Sequence, residues 1–462
     1  SSVACWASVN NPFLLLAIAI AAIPVAVAVV RRPPTGILIL AALAPFDGLL
    51  FIIRHPPILE GRKEGLVLLV AIAAWRQRRI AAGSRATMQQ GWSLPSWAPP
   101  MFGLLALATL SAVLHPSLAA IIGLKIGFFY LLVPLALWWT PLTAKERDRL
   151  VTILMVTGGV VVVIGIGQQI AGPEALVSLG YGYNSNVRFA AGILRSFSTF
   201  NQPFAYAFFV MMVLLVGIPV ALENYRRIRN FLFLAAVPVL AFGMVTAVVR
   251  ASLLGFVVGA AWLLVHRYRV LIHALVPALI AILLLPSGFI GAFLSSSSLL
   301  ERSDGWSQAA FQQGIEPFGQ GIGSVGSAAE LIQDSRRNSE IEFPTPVDSA
   351  RYQPDNYYMK TLIELGPFGA WLLIAAMGLA FANARKASLR PRPGEAGLAA
   401  GIAASILGAM AASLVSSYWE IFPADLFFWM LLGVVPSLRQ ESSSTPSPSP
   451  LGGAAYRPTA GT

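Results

Sequence analysis

The chain has 462 residues, 56% of them hydrophobic and 11% charged, with a formal net charge of +11 and a mean hydropathy of +0.70. A soluble domain carries roughly 25% charged residues, so this is a membrane composition. The basic excess does not point to nucleic acid, because the Lys and Arg residues lie in short loops beside apolar runs, where they fix topology and meet anionic lipid. Cys5 is the single cysteine and His55, His115, His266 and His273 are scattered, which excludes an internal disulfide and leaves no metal-binding pattern visible.

No charged side chain occurs between Ser1 and Val30, and the first apolar run ends at Arg31 and Arg32. That run is too long for a cleavable signal peptide, and none is expected. Candidate spans follow at 11–30, 35–53, 64–75, 100–115, 117–140, 149–170, 203–222, 231–249, 251–266, 268–286, 356–383, 397–416 and 421–437, judged against the roughly 20 apolar residues that cross the hydrocarbon. The 64–75 run is short and Asp47 interrupts the second, so twelve or thirteen helices fit. Alternating the loops puts Arg31, Arg32, Arg76 to Arg85, Lys145 to Arg149, Arg226 to Arg229, Arg267, Arg269 and Arg385 to Arg392 on one side, which the positive-inside rule makes cytoplasmic. Two long polar loops, 171–202 and 287–355, and the lone Arg250 then face outward. Residues 1–438 form the membrane domain; 439–462, with SSSTPSPSPLGG, is expected to be a disordered cytoplasmic extension. No matched inverted halves are visible.

In the first outer loop, Arg188 and Arg195 precede a helix expected to open near Asn201 and Pro203, with Asn or Ser as cap. Free backbone N–H groups at such a helix start favour phosphate. Each arginine alone is equally well explained by snorkelling to headgroups. Arg250, in TAVVRASLLG, occupies so tight a turn that its charge must lie at or below the membrane surface, where an unpaired ion is costly.

The second loop begins SSSSLLERSDGWSQAAFQQGIEPFGQGIGSVG. Arg302, Trp306, Ala310 and Gln313 share helical spacing, which predicts a short helix over the membrane followed by a glycine turn. Gly321, Gly323 and Gly326 spell GxGxxG, but no βαβ unit surrounds them. They are expected instead to let backbone approach backbone or a bulky ligand. The loop ends in RYQPDNYYMKTLIELGPFGAW, where Asp355 is the expected N-cap. The rival role for Asp355 is a carboxylate facing the arginines, able to orient or deprotonate an acceptor hydroxyl. Tyr357 and Tyr358 suit either belt anchoring or packing on sugar faces. Glu364 needs a partner such as Lys360, one turn back, and Asp47 and Lys125 raise the same question.

The ordered motifs RSFSTFNQP, TAVVRASLLG, ERSDGWSQAAF with GQGIG, and DNYYMKTLIELGPFGAW resemble the O-antigen ligase and polysaccharide polymerase family of bacterial membrane glycosyltransferases. The likeness spans Arg188 to about Trp371, and the first 170 residues match only as apolar helices. The resemblance implies a GT-C-like helical bundle in the bacterial inner membrane, with its active site facing the periplasm or exterior. It implies transfer of glycan from an undecaprenyl-pyrophosphate carrier to an acceptor hydroxyl, without nucleotide sugar, metal or other cofactor, in the company of flippase and chain-length regulator proteins. By that likeness Arg195 and Arg250 hold the pyrophosphate, and Arg302 matches the arginine opening the loop helix. Arg188, Trp306, Asn356 and Tyr357 complete the candidate substrate-binding set, and Asp355 joins Arg195 and Arg250 in the catalytic one. The ligases usually place His before Asn at the last motif; Asp355 before Asn356 tilts the reading toward a polymerase, with a ligase as runner-up and a transporter or flippase as the rival class.

Overall fold

The structure, a computed structural model, describes residues 12–52, 59–82, 94–183, 186–269, 272, 291, 316–338, 355–389, 391–392 and 394–438. Almost all of the expected span at 268–286, the loop segment carrying Arg302 and Trp306, and the tail 439–462 lie outside them. The helices are α1 (Pro12–Arg31), α2 (Pro33–Leu43) continued by a 3-10 stretch (Ala44–Phe51), α3 (Arg62–Ala82), α4 (Ala98–Leu114), α5 (Leu118–Phe128), α6 (Leu132–Trp139) and α7 (Ala144–Ser178). After a two-residue hairpin, β1 (Phe189–Ala190) and β2 (Ile193–Leu194), come α8 (Pro203–Glu223), α9 (Ile228–Thr246), α10 (Arg250–His266), α11 (Ser327–Asn338), α12 (Tyr357–Leu389), α13 (Ala396–Ala412) and α14 (Ala424–Leu438).

An apolar chain of this kind folds as helices because lipid offers no partner for backbone N–H and C=O groups. Among the described residues, six helical segments are long and apolar enough to cross a membrane: Pro33–Leu50, Leu118–Trp139, Ala144–Ser178, Pro203–Glu223, Ile228–Thr246 and Tyr357–Leu389. Shorter apolar helices, among them Ala98–Leu114, Arg250–His266, Ala396–Ala412 and Ala424–Leu438, pack with them. The protein is an all-α polytopic membrane protein.

Its centre is α8, nearly every residue of which is buried, flanked by α7, α9, α10 and α13. The α10–α13 contact depends on small residues. A Cβ at Gly255 would lie 2.6 Å from the Gly408 carbonyl oxygen, and one at Gly259 2.8 Å from that of Ala404. Glycines let the two backbones touch where lipid gives no hydrophobic drive for association.

Side-chain contacts sort the bundle into two ends. At one, Arg32 pairs with Glu146 (2.9 Å), Arg227 and Arg229 with Asp148 (2.7 and 2.9 Å), and buried Arg147 with Glu395 (2.5 Å). Thr143 and Glu146 form a capping box there that starts α7. The expected loops carrying Arg32, Lys145 to Arg149, Arg226 to Arg229 and Glu395 therefore share an end, the basic end. At the opposite, loop end, Asp47 is held by Arg62 and by Lys63 (3.1 Å), Lys125 by Glu64 (2.9 Å), and Lys360 by Glu364 (2.5 Å). The charges of Asp47, Lys125 and Glu364 thus resolve as ion pairs, not solitary intramembrane sites.

Two helices break at Gly-Pro. Gly172 (φ 78°, ψ 173°) interrupts α7 and Gly366 (φ 71°, ψ −176°) interrupts α12. The part of α12 from Pro367 to Leu389 rises roughly 34 Å by itself, enough for a hydrocarbon layer of about 30 Å. The first piece, Tyr357 to Leu365, therefore lies at the loop end, which moves Glu364 from the interior of a span to its edge.

A candidate anion site at the loop end

The segment Arg195–Asn201 is not a surface loop. Ser196, Phe197, Ser198, Thr199 and Phe200 are all buried, and side chains of α7 stitch them in place. Gln168 receives the Phe197 and Ser198 N–H groups on its Oε1 (3.1 and 2.7 Å) and donates to the Ser198 carbonyl (2.8 Å). Gln169 donates to the carbonyls of Leu194 (2.5 Å) and Thr246 (3.2 Å) and to the Ser196 hydroxyl (3.0 Å). The Thr199 hydroxyl donates to the Pro45 carbonyl (2.5 Å). Four chain segments are thereby fixed around the strand residue just before this plug, Arg195.

Arg195 closes the hairpin. Phe189 faces Leu194, Ala190 faces Ile193, and the Arg195 N–H donates to the Arg188 carbonyl (2.9 Å). The connection, Ala191 (φ 47°) and Gly192 (φ 79°), has positive φ at both positions, as a tight two-residue hairpin turn requires. Arg188 and Arg195 are therefore cross-strand partners whose side chains leave the same face. Below the hairpin Tyr181 packs edge-on to Phe197, with centroids 4.9 Å apart, and burial raises its phenol pKa.

The same hairpin docks on the turn that leads to Arg250. Ser196 N–H donates to the Thr246 carbonyl (3.0 Å), and Arg195 Nε donates to the Ala247 carbonyl (3.2 Å). Three residues later Arg250, half-buried, is the first residue of α10, after Val248 in the left-handed region (φ 50°). The antiparallel α10–α13 register sets Arg250 level with Ser413, whose carbonyl accepts the Tyr357 N–H (3.0 Å). The start of α12 thus arrives beside the start of α10.

At that start the cap is Asn356, one residue beyond the expected Asp355. Asn356 Oδ1 accepts from Tyr358 N–H (2.9 Å) and Met359 N–H (3.1 Å). Asp355, half-buried, is left outside the first turn. A second difference concerns α8, which starts at Pro203 with Gln202 in the cap position and no side-chain cap bond, so neither Asn201 nor a serine caps it.

Aromatic rings join the two halves of the site. The Arg195 guanidinium lies 5.0 Å from the centre of the Phe204 ring. From there centroid contacts run through Phe208 (6.2 Å), Tyr418 (4.7 Å) and Trp419 (6.1 Å) to Tyr357 (5.1 Å). Burial, with a smaller contribution from Asp425, raises the Tyr418 phenol pKa. Tyr357 and Tyr358 both pack on Trp419, and the Tyr358 hydroxyl donates to the Met410 carbonyl (3.1 Å), an inward packing that belt anchoring does not describe.

The Arg188–Arg195 hairpin and the turn before Arg250 thus meet at one corner of the loop end, the start of α12 with Asp355, Asn356 and Tyr357 is tied to Ser413 at the end of α13, and Arg302 and Trp306 lie outside the described residues. Gln168 and Gln169 at this corner, and Glu420 elsewhere at the loop end, are placed without a prior sequence argument. Their signal was available: a polar pair ending the apolar run VVVVIGIGQQI, and a lone acid in SSYWEIFP between two apolar runs. Among the described residues no group of three or more His, Cys, Asp or Glu is placed to hold a metal ion. No protein-family model matches the chain, and no curated protein is similar to it in sequence.

Proposed function

We propose that the chain is a glycosyltransferase of the bacterial inner membrane, a GT-C-like bundle of twelve or thirteen spans whose loop end faces the periplasm or exterior. It polymerises lipid-linked repeat units into an O-antigen or exopolysaccharide chain. The observation that carries this reading is the Arg188–Arg195 cross-strand pair docked on the turn before Arg250. Guanidinium forks held on a buried, hydrogen-bonded plug are suited to a diphosphate, which they meet bidentately.

The chemistry that such a site favours follows from charge. As an acceptor hydroxyl attacks the anomeric carbon, the carbon–oxygen bond to the pyrophosphate breaks and negative charge builds on the leaving group. Positioned arginines stabilise that charge as it develops. The hydroxyl proton passes to a carboxylate or to water, and Asp355, which directly precedes the Asn356 cap, is the carboxylate proposed for it. Attack from the opposite face inverts the anomeric configuration.

The test is a reconstitution in lipid nanodiscs with undecaprenyl-pyrophosphate-linked repeats as the only substrate. A polymerase produces a ladder; a ligase, the second reading on the strength of the shared motifs, produces nothing until a separate acceptor such as lipid A core is added. Turnover of neither kind by the folded protein rejects the proposal. Arg250→Ala should abolish transfer while leaving insertion intact.

A further inference from the structure

A buried charge cluster at the loop end lies outside the arginine corner. Lys360 sits one turn into α12, and its side chain is only 6% exposed. Its ammonium meets Glu364 Oε2 at 2.5 Å and Glu420 Oε1 at 3.0 Å, and those two side chains are 3% and 2% exposed. The other carboxylate oxygens also have partners. Glu364 Oε1 accepts from the Gly323 N–H (2.9 Å), and Glu420 Oε2 accepts from the Ser327 hydroxyl (3.0 Å) and N–H (3.4 Å). One ammonium thus ties the start of α12 to the 418–420 turn, while the two carboxylates hold a third segment, 316–327.

That third segment is fitted to the cluster in backbone detail. Gln320 and Gly321 N–H groups donate to the carbonyls of Ile363 (2.8 Å) and Glu364 (3.1 Å), acceptors left free because α12 breaks at Gly366. A Cβ on Gly366 would lie 2.2 Å from the Pro317 carbonyl oxygen, and one on Gly326 2.6 Å from Lys360 Cε. The strap therefore lies directly on the broken helix, with no room for a side chain between.

We infer that Glu420 is a positioning residue. Through Lys360 it locks the strap onto the first piece of α12 and so fixes the helix start that presents Asp355, Asn356 and Tyr357 to the arginine corner. Lys360 N–H donates to the Asn356 carbonyl (3.0 Å), and its ammonium lies 5.6 Å from the centre of the Tyr357 ring, so the lock is one helical turn from those residues. Buried ion pairs add little net stability compared with apolar packing, and their best-attested use is to specify one arrangement among several. The positioning role rests on the glycosyltransfer reading; the lock itself does not.

The experiment uses the full chain in nanodiscs with Glu420→Gln, read by hydrogen–deuterium exchange and by steady-state kinetics. Exchange of the peptide covering Gly319 to Ser327 should speed up by roughly tenfold to a hundredfold, as loss of a charged hydrogen-bond partner implies. Exchange in α8 and α13 should stay unchanged. kcat should fall about tenfold or more with donor KM unchanged, the pattern of a misplaced acceptor-side group. Ser327→Ala, which removes a single bond to Glu420, should give the same pattern more weakly and serves if Glu420→Gln does not fold. Parental protection of Gly319 to Ser327 overturns the lock. Faster strap exchange with unchanged kcat overturns the positioning role. A parent protein that transfers no glycan defeats the proposed function and the positioning role with it, while the exchange result still decides the lock.

Discussion

Arg195→Lys is the most discriminating perturbation of the arginine corner, because it keeps the charge and removes the geometry. Arg195 uses Nε to hold the Ala247 carbonyl at 3.2 Å and stacks its guanidinium 5.0 Å from the Phe204 ring centre. Lysine has no donor at the Nε position and no planar group to stack. The hydrogen bond from a charged donor contributes about 1.5–3 kcal/mol, and a half-exposed cation–π contact about 0.5–1 kcal/mol. Loss of both removes the side-chain tie between Arg195 and the turn before Arg250, while the Ser196 N–H bond to Thr246 holds the hairpin, and leaves the ammonium as a mobile point charge. Removing one positioned donor from developing negative charge costs on the order of 100-fold in rate, so kcat/KM for the lipid-linked donor should fall by about that factor. Initial ladder formation in nanodiscs, with monodispersity and melting temperature recorded alongside, measures it. A lysine variant within about twofold of the parent would refute the argument, because positive charge alone would then suffice.

Asp355→Asn should leave the Asn356 cap of α12 in place; ladder assays should show at least about tenfold slower turnover if Asp355 takes or orients the acceptor proton. Asn356→Ala should destabilise the protein by about 1 kcal/mol, the usual cost of an N-cap, visible as a lowered thermal transition. Gly323→Ala should cost roughly 2–4 kcal/mol, because Gly323 has φ 78° and its Cβ would lie 2.1 Å from the Ala119 carbonyl oxygen, whereas Gly167→Ala in α7, with nothing within 4 Å, should be neutral or slightly stabilising. Arg147→Met should lower stability by about 3–5 kcal/mol by leaving the Glu395 carboxylate uncompensated, and a thermal transition within error of the parent would show that the pair is dispensable.

The sequence made the helices legible because lipid forces apolar runs to satisfy their own backbones, and the boundaries at Pro203, Arg250 and Ala396 fall within a residue of those expected. The sorting of Arg32, Arg147, Arg227 and Arg392 to one end was equally legible, since helices that alternate in direction leave little choice. What a one-dimensional reading missed was partnership across distance. Gln168 and Gln169 looked like the polar end of a run, yet they hold a segment about thirty residues on. Glu420 drew no argument from the sequence, yet it pairs with Lys360, sixty residues earlier. The cap lies at Asn356 and not Asp355, two residues that cap about equally well, because Asn356 Oδ1 takes the Tyr358 and Met359 N–H groups while the Tyr357 N–H goes to Ser413.

The two Gly-Pro breaks bear on the choice between enzyme and transporter. A transporter uses discontinuous helices to expose backbone dipoles near mid-membrane, where its cargo binds. Here the break in α7 comes only after Ala171, roughly 42 Å of helix from Ala144, and the break in α12 precedes a piece of roughly 34 Å. Each leaves a complete span on the basic-end side, so both interruptions lie at the loop end. The carbonyls freed at Gly366 are taken by Gln320 and Gly321 of the strap. The helix breaks and the strap of the described bundle thus lie at one surface, with α8 buried among apolar contacts through the middle. That arrangement favours a reaction carried out at a membrane face over passage through the bundle. A helix break with unoccupied backbone groups at mid-depth in an experimental map of this protein would reverse the preference.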